Sequence, residues 1–303
     1  MEGMELSWLT RIKVTAVLVL GIVVWGVVLW HFVSLDDPMG AVTLAGHISV
    51  AHIAMTIITA VVVGFAAYFI AWPYGREIGI LAVPAGLAAW AVRSGDMAEL
   101  MRTHADVVQR QNLYRALGWE GIVWFAIAGV GYCGVMLAAK LIPSGGAPVE
   151  IHPPAEKSNG VVQGIFALAA AAAIAAAGIT MLARDVAFND KTVITVLGQP
   201  TNRQIAFAAI VSFGLAAFVV KQVWNASYVW SAIATVIVSC GAMSLAAKKE
   251  VLNYMADNWP SNFFPQPAYA ILPIQIISFG IIGAVIGYWL AVRFKYWRTH
   301  CSK

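Results

Sequence analysis

The sequence predicts an all-α polytopic transmembrane helical bundle of about eight spans. Three observations carry that reading. The 303 residues are 60% hydrophobic and only 11% charged, against roughly 25% charged in soluble domains. The apolar residues gather in long runs near the roughly 20 residues that a spanning helix needs. All 19 Lys and Arg and all 15 Asp and Glu fall in loops or at the ends of these runs.

The first run, 14–33, follows Arg11 and Lys13. It is too long for the core of a signal peptide and no small-x-small site follows, so it reads as a retained helix. No Asp, Glu, Lys or Arg occurs from Pro38 to Trp72. That stretch exceeds one helix and places the second span at 50–72. The run from Ile78 to Val92 is the third. Its length as a helix is only about 22 Å, short of a hydrocarbon core of roughly 30 Å. It crosses if Arg76 and Arg93 snorkel and the bilayer thins; if it does not, seven spans remain. The fourth is 121–139, between Glu120 and Lys140. A Pro- and Gly-rich linker, 143–160, comes next. The fifth to eighth are 161–182, 205–220, 228–247 and 269–292. The stretch 184–204 has a short apolar centre and is too short to cross.

Loop lengths divide the chain into a first four-helix half, 1–142, and a second, 161–303, joined by that linker. No residue-level repeat accompanies the division. Eight spans put both termini on one side. That side then holds ten of the nineteen basic residues, which does not decide orientation by the positive-inside rule. The basic flanks do: Arg11 and Lys13 precede the first span, and Arg293, Lys295 and Arg298 follow the last. Both termini are expected in the cytoplasm, in the cytoplasmic (inner) membrane of a bacterium.

One stretch concentrates charge. Arg93, Asp96, Glu99, Arg102, His104, Asp106, Arg110 and Arg115 lie between the third and fourth spans. Asp96 followed by Glu99 is a helix-start signal. Met97, Leu100, Met101, His104, Val107 and Val108 recur at helical spacing. The pattern predicts an amphipathic interfacial helix over 93–118. Arg93, Arg102, Arg110 and Arg115 are its candidate contacts to lipid phosphate or an acidic partner; alternatively they pair with Asp96, Glu99 and Asp106. In the preceding run, Pro84 removes a backbone donor and predicts a bend.

Gly129-x-Gly131-x-x-Gly134 matches the dinucleotide signature, but that motif needs a strand before it and a helix after it. Here it lies within an apolar run, and a helix-packing role is expected. Val130-Gly131-Tyr132 echoes a potassium filter, but Cys133 breaks the register and no pore helix is evident. Gly283 and Gly287 form a GxxxG pair, a second packing site. His31, His47 and His52 lack the geometry of paired ligands. Cys133, Cys240 and Cys301 make no CxxC pair. No cofactor and no metal are expected. No basic patch interleaved with aromatics suggests nucleic acid, and no HExxH, GxSxG or Walker motif names an enzyme.

The expected partners are the lipid bilayer and other membrane subunits or a second copy of the chain. The function these features favour is a non-catalytic subunit or scaffold of a membrane assembly. A channel or carrier for a neutral or lipid-like solute is the alternative. A lipid-head-group enzyme, with Asp106, His104 or Glu120 beside the arginines, is the second alternative.

Overall fold

A computed structural model describes residues 8–33, 40–44, 50–142 and 161–301. The linker 143–160 and His47 lie outside them.

Eight helices are long and apolar enough to cross a membrane, and the run containing Pro84 is one of them. The described residues form a helical bundle with one small three-stranded sheet. α1 (Trp8–Val23) continues through a π-helical turn, Val24–Val28, to the short α2 (Trp30–Val33). α3 is Val50–Ile70. The third crossing is built in three pieces: α4 (Gly75–Ile78), a 3-10 turn over Gly79–Leu81, and α5 (Ala82–Arg93). Pro84 therefore lies in the first turn of α5, where a missing N–H is tolerated. The irregular backbone lies just upstream of it.

The expected single helix over 93–118 is not what forms. α6 covers Met97–Thr103, and α7 (Val107–Leu141) begins after His104, Ala105 and Asp106. The two share the segment because Asp96 and Asp106 each take the N-cap position with extended backbone. The helical spacing read across 97–108 thus spans two helices, and the second is the start of the fourth crossing.

α8 (Val161–Leu182) leads into a hairpin of β1 (Ala187–Asp190) and β2 (Ile194–Gly198). α9 (Asn202–Trp224) is capped by Thr201, whose hydroxyl accepts from Gln204 N at 3.3 Å. It stops at Asn225, in the left-handed region at φ 51°, which Asn tolerates better than most residues. α10 (Tyr228–Ala246), α11 (Lys249–Asn258), β3 (Phe263–Phe264) and α12 (Pro273–Cys301) complete the chain. β3 pairs antiparallel with β2, so the sheet order is β1-β2-β3.

Eight alternating crossings separate two faces. One carries α6, the hairpin, α11 and β3; it is called here the capped face. The other, the tail face, carries the start of α1, the end of α12 and the tight turns at 71–74 and 225–227.

Small residues set the helix spacings. A Cβ on Gly283 would strike the Ile210 carbonyl, and one on Gly287 the Gly214 carbonyl, so α12 and α9 touch backbone to backbone. Gly64 meets Gly131, and Gly134 meets Val61 and Phe65, which joins α3 to α7 the same way. Gly21 faces Ala82 across α1 and α5. Gly129 departs from this pattern: it is exposed and a Cβ there would meet nothing within 4 Å. Along α8, Ala167, Ala171, Ala175, Ile179 and Ala183 are all fully buried, a small-residue stripe of the kind membrane helices use to pack closely. One apolar core, containing Trp25, Trp90, Trp124, Met243, Ile277 and Val285, runs through both sets of four helices.

Candidate functional site

The predicted arginines come first. Arg102 Nη2 lies 2.8 Å from Glu99 Oε1. Asp96 Oδ1 accepts from Glu99 N at 3.0 Å and caps α6. Arg110 folds back onto the other end of α6, donating from Nε to His104 O at 2.9 Å and from Nη2 to Met101 O at 3.2 Å. Cations satisfy helix C-terminal carbonyls well. Arg93 donates to Gly26 O and stacks over Trp30 at 4.2 Å. Three of the four arginines thus hold their own chain together. Arg115 is exposed and makes no ion pair among the described residues.

Beside α6 the helix ends of both halves are tied by side-chain amides. Asn202 Nδ2 donates to Val92 O and Ser94 O, each at 3.3 Å. Its Oδ1 accepts from Gln275 Nε2 at 2.9 Å. Gln275 Oε1 in turn accepts from Leu272 N at 3.0 Å. Gln199 spans the same junction, accepting from Ala98 N at 3.2 Å and donating to Ala270 O at 2.9 Å. Each amide uses both of its ends, as buried polar groups must.

The hairpin is held by Asp190. Its carboxylate accepts from Thr192 N at 2.7 Å and Val193 N at 3.0 Å, an Asx-type turn. It also accepts from Tyr254 Oη at 2.8 Å and Trp259 Nε1 at 3.0 Å. These donors favour the ionised form, the Val193 amide foremost, and lower the carboxyl from 3.8 to about 2. The folded value is depressed, so the contribution is present above the unfolded value and is lost as pH falls from about 4 towards about 2. The protection of amides 187–198, measured relative to their intrinsic exchange rates, should therefore fall over that window in the wild type. Asp190→Asn should show fast exchange already at neutral pH, because its amide cannot take four donors. Unchanged exchange in both would remove Asp190 from this role. The sequence carried a signal for the turn, Asp190-Lys191-Thr192, but none for the Tyr254 and Trp259 donors, which come from residues far along the chain.

One charged residue at the edge of a span is buried within the protein. Glu120 is buried at 3% exposure, well inside α7. The sequence places it at the edge of an apolar run; the long helix makes that edge an interior position. One residue on, the site of a Gly121 Cβ lies 3.0 Å from Ser239 Oγ and 3.6 Å from Cys240 Sγ. Ser239 belongs to a line on α10 with Ser231 and Thr235, all fully buried. Thr235 donates to Ala232 O at 2.6 Å, while Ser231 Oγ, Ser239 Oγ and Trp124 Nε1 find no partner among the described residues. Small hydroxyl residues on membrane helices allow close packing and hydrogen bonding between helices.

Among the described residues no group of three His, Cys, Asp or Glu could hold a metal ion. Gly129, Gly131 and Gly134 lie within the continuous α7, where no strand-to-helix turn exists to receive a pyrophosphate. On the capped face a cleft of about 30 Å3 lies among Met101, Arg110, Tyr114, Leu252, Met255 and Phe264, room for about one or two waters. Compared with protein families, with curated proteins and with solved structures, the chain matches none of them.

Proposed function

We propose that this integral membrane protein is a non-catalytic subunit or scaffold of a larger membrane assembly. The observation that carries the reading is apolar surface held rigid outside the spans. Val186, Phe188 and Ile194 on the hairpin are 56%, 44% and 79% exposed. Phe188 packs on Trp259 and Phe263 with ring centroids 6.0 and 5.8 Å away, so the surface is pre-shaped. β1 is an edge strand of its sheet among the described residues. Edge strands with apolar neighbours recruit further chains. The assembly lies in the cytoplasmic membrane of a bacterium with both chain ends inside, a reading supported by the basic flanks Arg11 and Lys13 and Arg293, Lys295 and Arg298.

Mild solubilisation from the native membrane should yield the chain in stoichiometric complex with another polypeptide. Phe188→Asp combined with Ile194→Asp should release that polypeptide while the chain stays monodisperse. Recovery of the wild-type chain alone would overturn the reading. Reporter fusions that place the chain ends outside would overturn the orientation. A carrier for a neutral or lipid-like solute is the second reading, favoured by the line Ser231, Thr235 and Ser239 beside Glu120. Solute uptake into proteoliposomes that Ser239→Leu abolishes would move the assignment there.

A further inference from the structure

The tail-face end of α12 combines a groove, a depth and a charge. Leu290, Arg293, Phe294 and Trp297 line an open groove of about 300 Å3. Their spacing places them on one stripe of the helix. The flank of α12 beside this stripe is fixed against α9. Gln222 Nε2 donates to Ala291 O at 2.8 Å, Lys221 Nζ lies 5.0 Å from the Tyr288 ring, and Ala291 is fully buried. Phe294 closes one wall of the groove against Phe218, with centroids 5.8 Å apart. Leu290 and Trp297 are each 55% exposed, and Arg293 is exposed between them.

The depth is that of a membrane boundary. Arg293 lies about 30 Å along the helix from Pro273, and the hydrocarbon core is also about 30 Å thick. Leu290 then faces acyl chain, Arg293 the phosphate level, and Trp297 the headgroups, where tryptophan concentrates.

The charge separates the two faces. Among the described residues the tail face holds Arg11, Lys13, Arg76, Lys140, Lys221, Arg293, Lys295 and Arg298 against the single acid Glu77. On the capped face Asp96, Glu99, Asp106, Asp185, Asp190, Glu250 and Asp257 nearly balance the bases. An anionic headgroup is therefore drawn to the tail face.

We propose that the Leu290–Trp297 stripe binds one anionic phospholipid, with Arg293 on the phosphate, Leu290 along the upper acyl chain, and Phe294 and Trp297 against the headgroup. Guanidinium meets phosphate through two parallel N–H donors, which a lysine cannot reproduce. The site stands apart from the arginines of the capped face, of which Arg93, Arg102 and Arg110 are committed to the chain itself.

The test is native mass spectrometry of the full chain released from nanodiscs that contain phosphatidylglycerol or phosphatidylcholine. The wild type should retain one phosphatidylglycerol and release phosphatidylcholine. Arg293→Gln should lower retention about tenfold. Trp297→Ala should lower it several-fold, and Arg293→Lys should fall between the wild type and Arg293→Gln. Arg115→Gln, on the other face, should retain lipid as the wild type does. Free glycerol phosphate should not displace the lipid, because it brings no acyl chain to the groove. Equal retention of the two lipids, loss that follows Arg115→Gln instead of Arg293→Gln, or displacement by glycerol phosphate would each overturn the proposal.

Discussion

Gly287→Val should strongly destabilise the native fold. A Cβ at Gly287 would overlap the carbonyl of Gly214 on α9, and the neighbouring Cα and carbonyl carbon of the same glycine are also within contact range. What stands in the way is backbone, which has no rotamer to change. α12 would have to move away from α9, losing the contact at Gly283 and Ile210 as well. Overpacking typically costs about 1–3 kcal/mol, and backbone in the way puts this case at the upper end, a sizeable part of a typical stability of about 5–15 kcal/mol. The expected result in detergent is a steep loss of monodisperse protein and a large fall in the unfolding midpoint. Gly129→Val is the matched comparison. It adds the same atoms where no neighbour lies within 4 Å, and should change stability by no more than about 0.5 kcal/mol. Equal melting of the two variants would refute the close-packing account. The same contacts mean that the Gly283 and Gly287 stripe is already occupied by α9 and is closed to a second copy of the chain.

Trp90→Ala should be nearly as damaging. Trp90 is fully buried. Its ring stands edge-on to Trp25 at 6.4 Å and to Trp124 at 6.3 Å, so it links α1, α5 and α7. Its Nε1 donates to Trp25 O at 2.6 Å, a carbonyl within the π-helical turn. Truncation leaves a cavity and removes that donor, for a cost of about 3–5 kcal/mol. Trp90→Phe keeps most of the ring contact and should recover a good part of the loss. Unfolding midpoints and near-ultraviolet circular dichroism would check this. A wild-type midpoint in the alanine variant would show that the three rings do not act as a unit.

The spans were legible because their signal is summed over about twenty residues, and no local choice of cap or turn reverses it. The crossing from Ile78 to Val92 looked short only because Gly75, Arg76 and Glu77 were counted as loop. They form α4, whose first residue packs on Tyr68. The error over 93–118 has a different source. Met97 to Val108 keeps one apolar rhythm, and the break at His104 to Asp106 is held by Arg110, which donates to the His104 and Met101 carbonyls, and not marked by a glycine or proline. Polar residues that cap helices look, in sequence, like residues on a solvated helix face. The amide junction of Asn202, Gln275 and Gln199 was invisible for a further reason: its partners lie up to 110 positions apart in the chain, and none carries charge. The burial of Glu120 was not legible either, since it depends on which helices pack beside α7.

The unbroken length of α7 has a consequence for any partner. Its 35 residues make a rod of about 52 Å. A bilayer core of about 30 Å accounts for little more than half of it. Leu141 ends near the tail face, where Tyr68 Oη donates to Ile142 O at 3.0 Å. The surplus of about 20 Å therefore stands clear of the hydrocarbon on the opposite side. That rod acts as a built-in ruler. It fixes the height at which α6 and its neighbours stand above the lipid, and Gln111, donating to Ala247 O at 2.9 Å, braces it from the side. A subunit that engages this protein on that side must reach the same altitude.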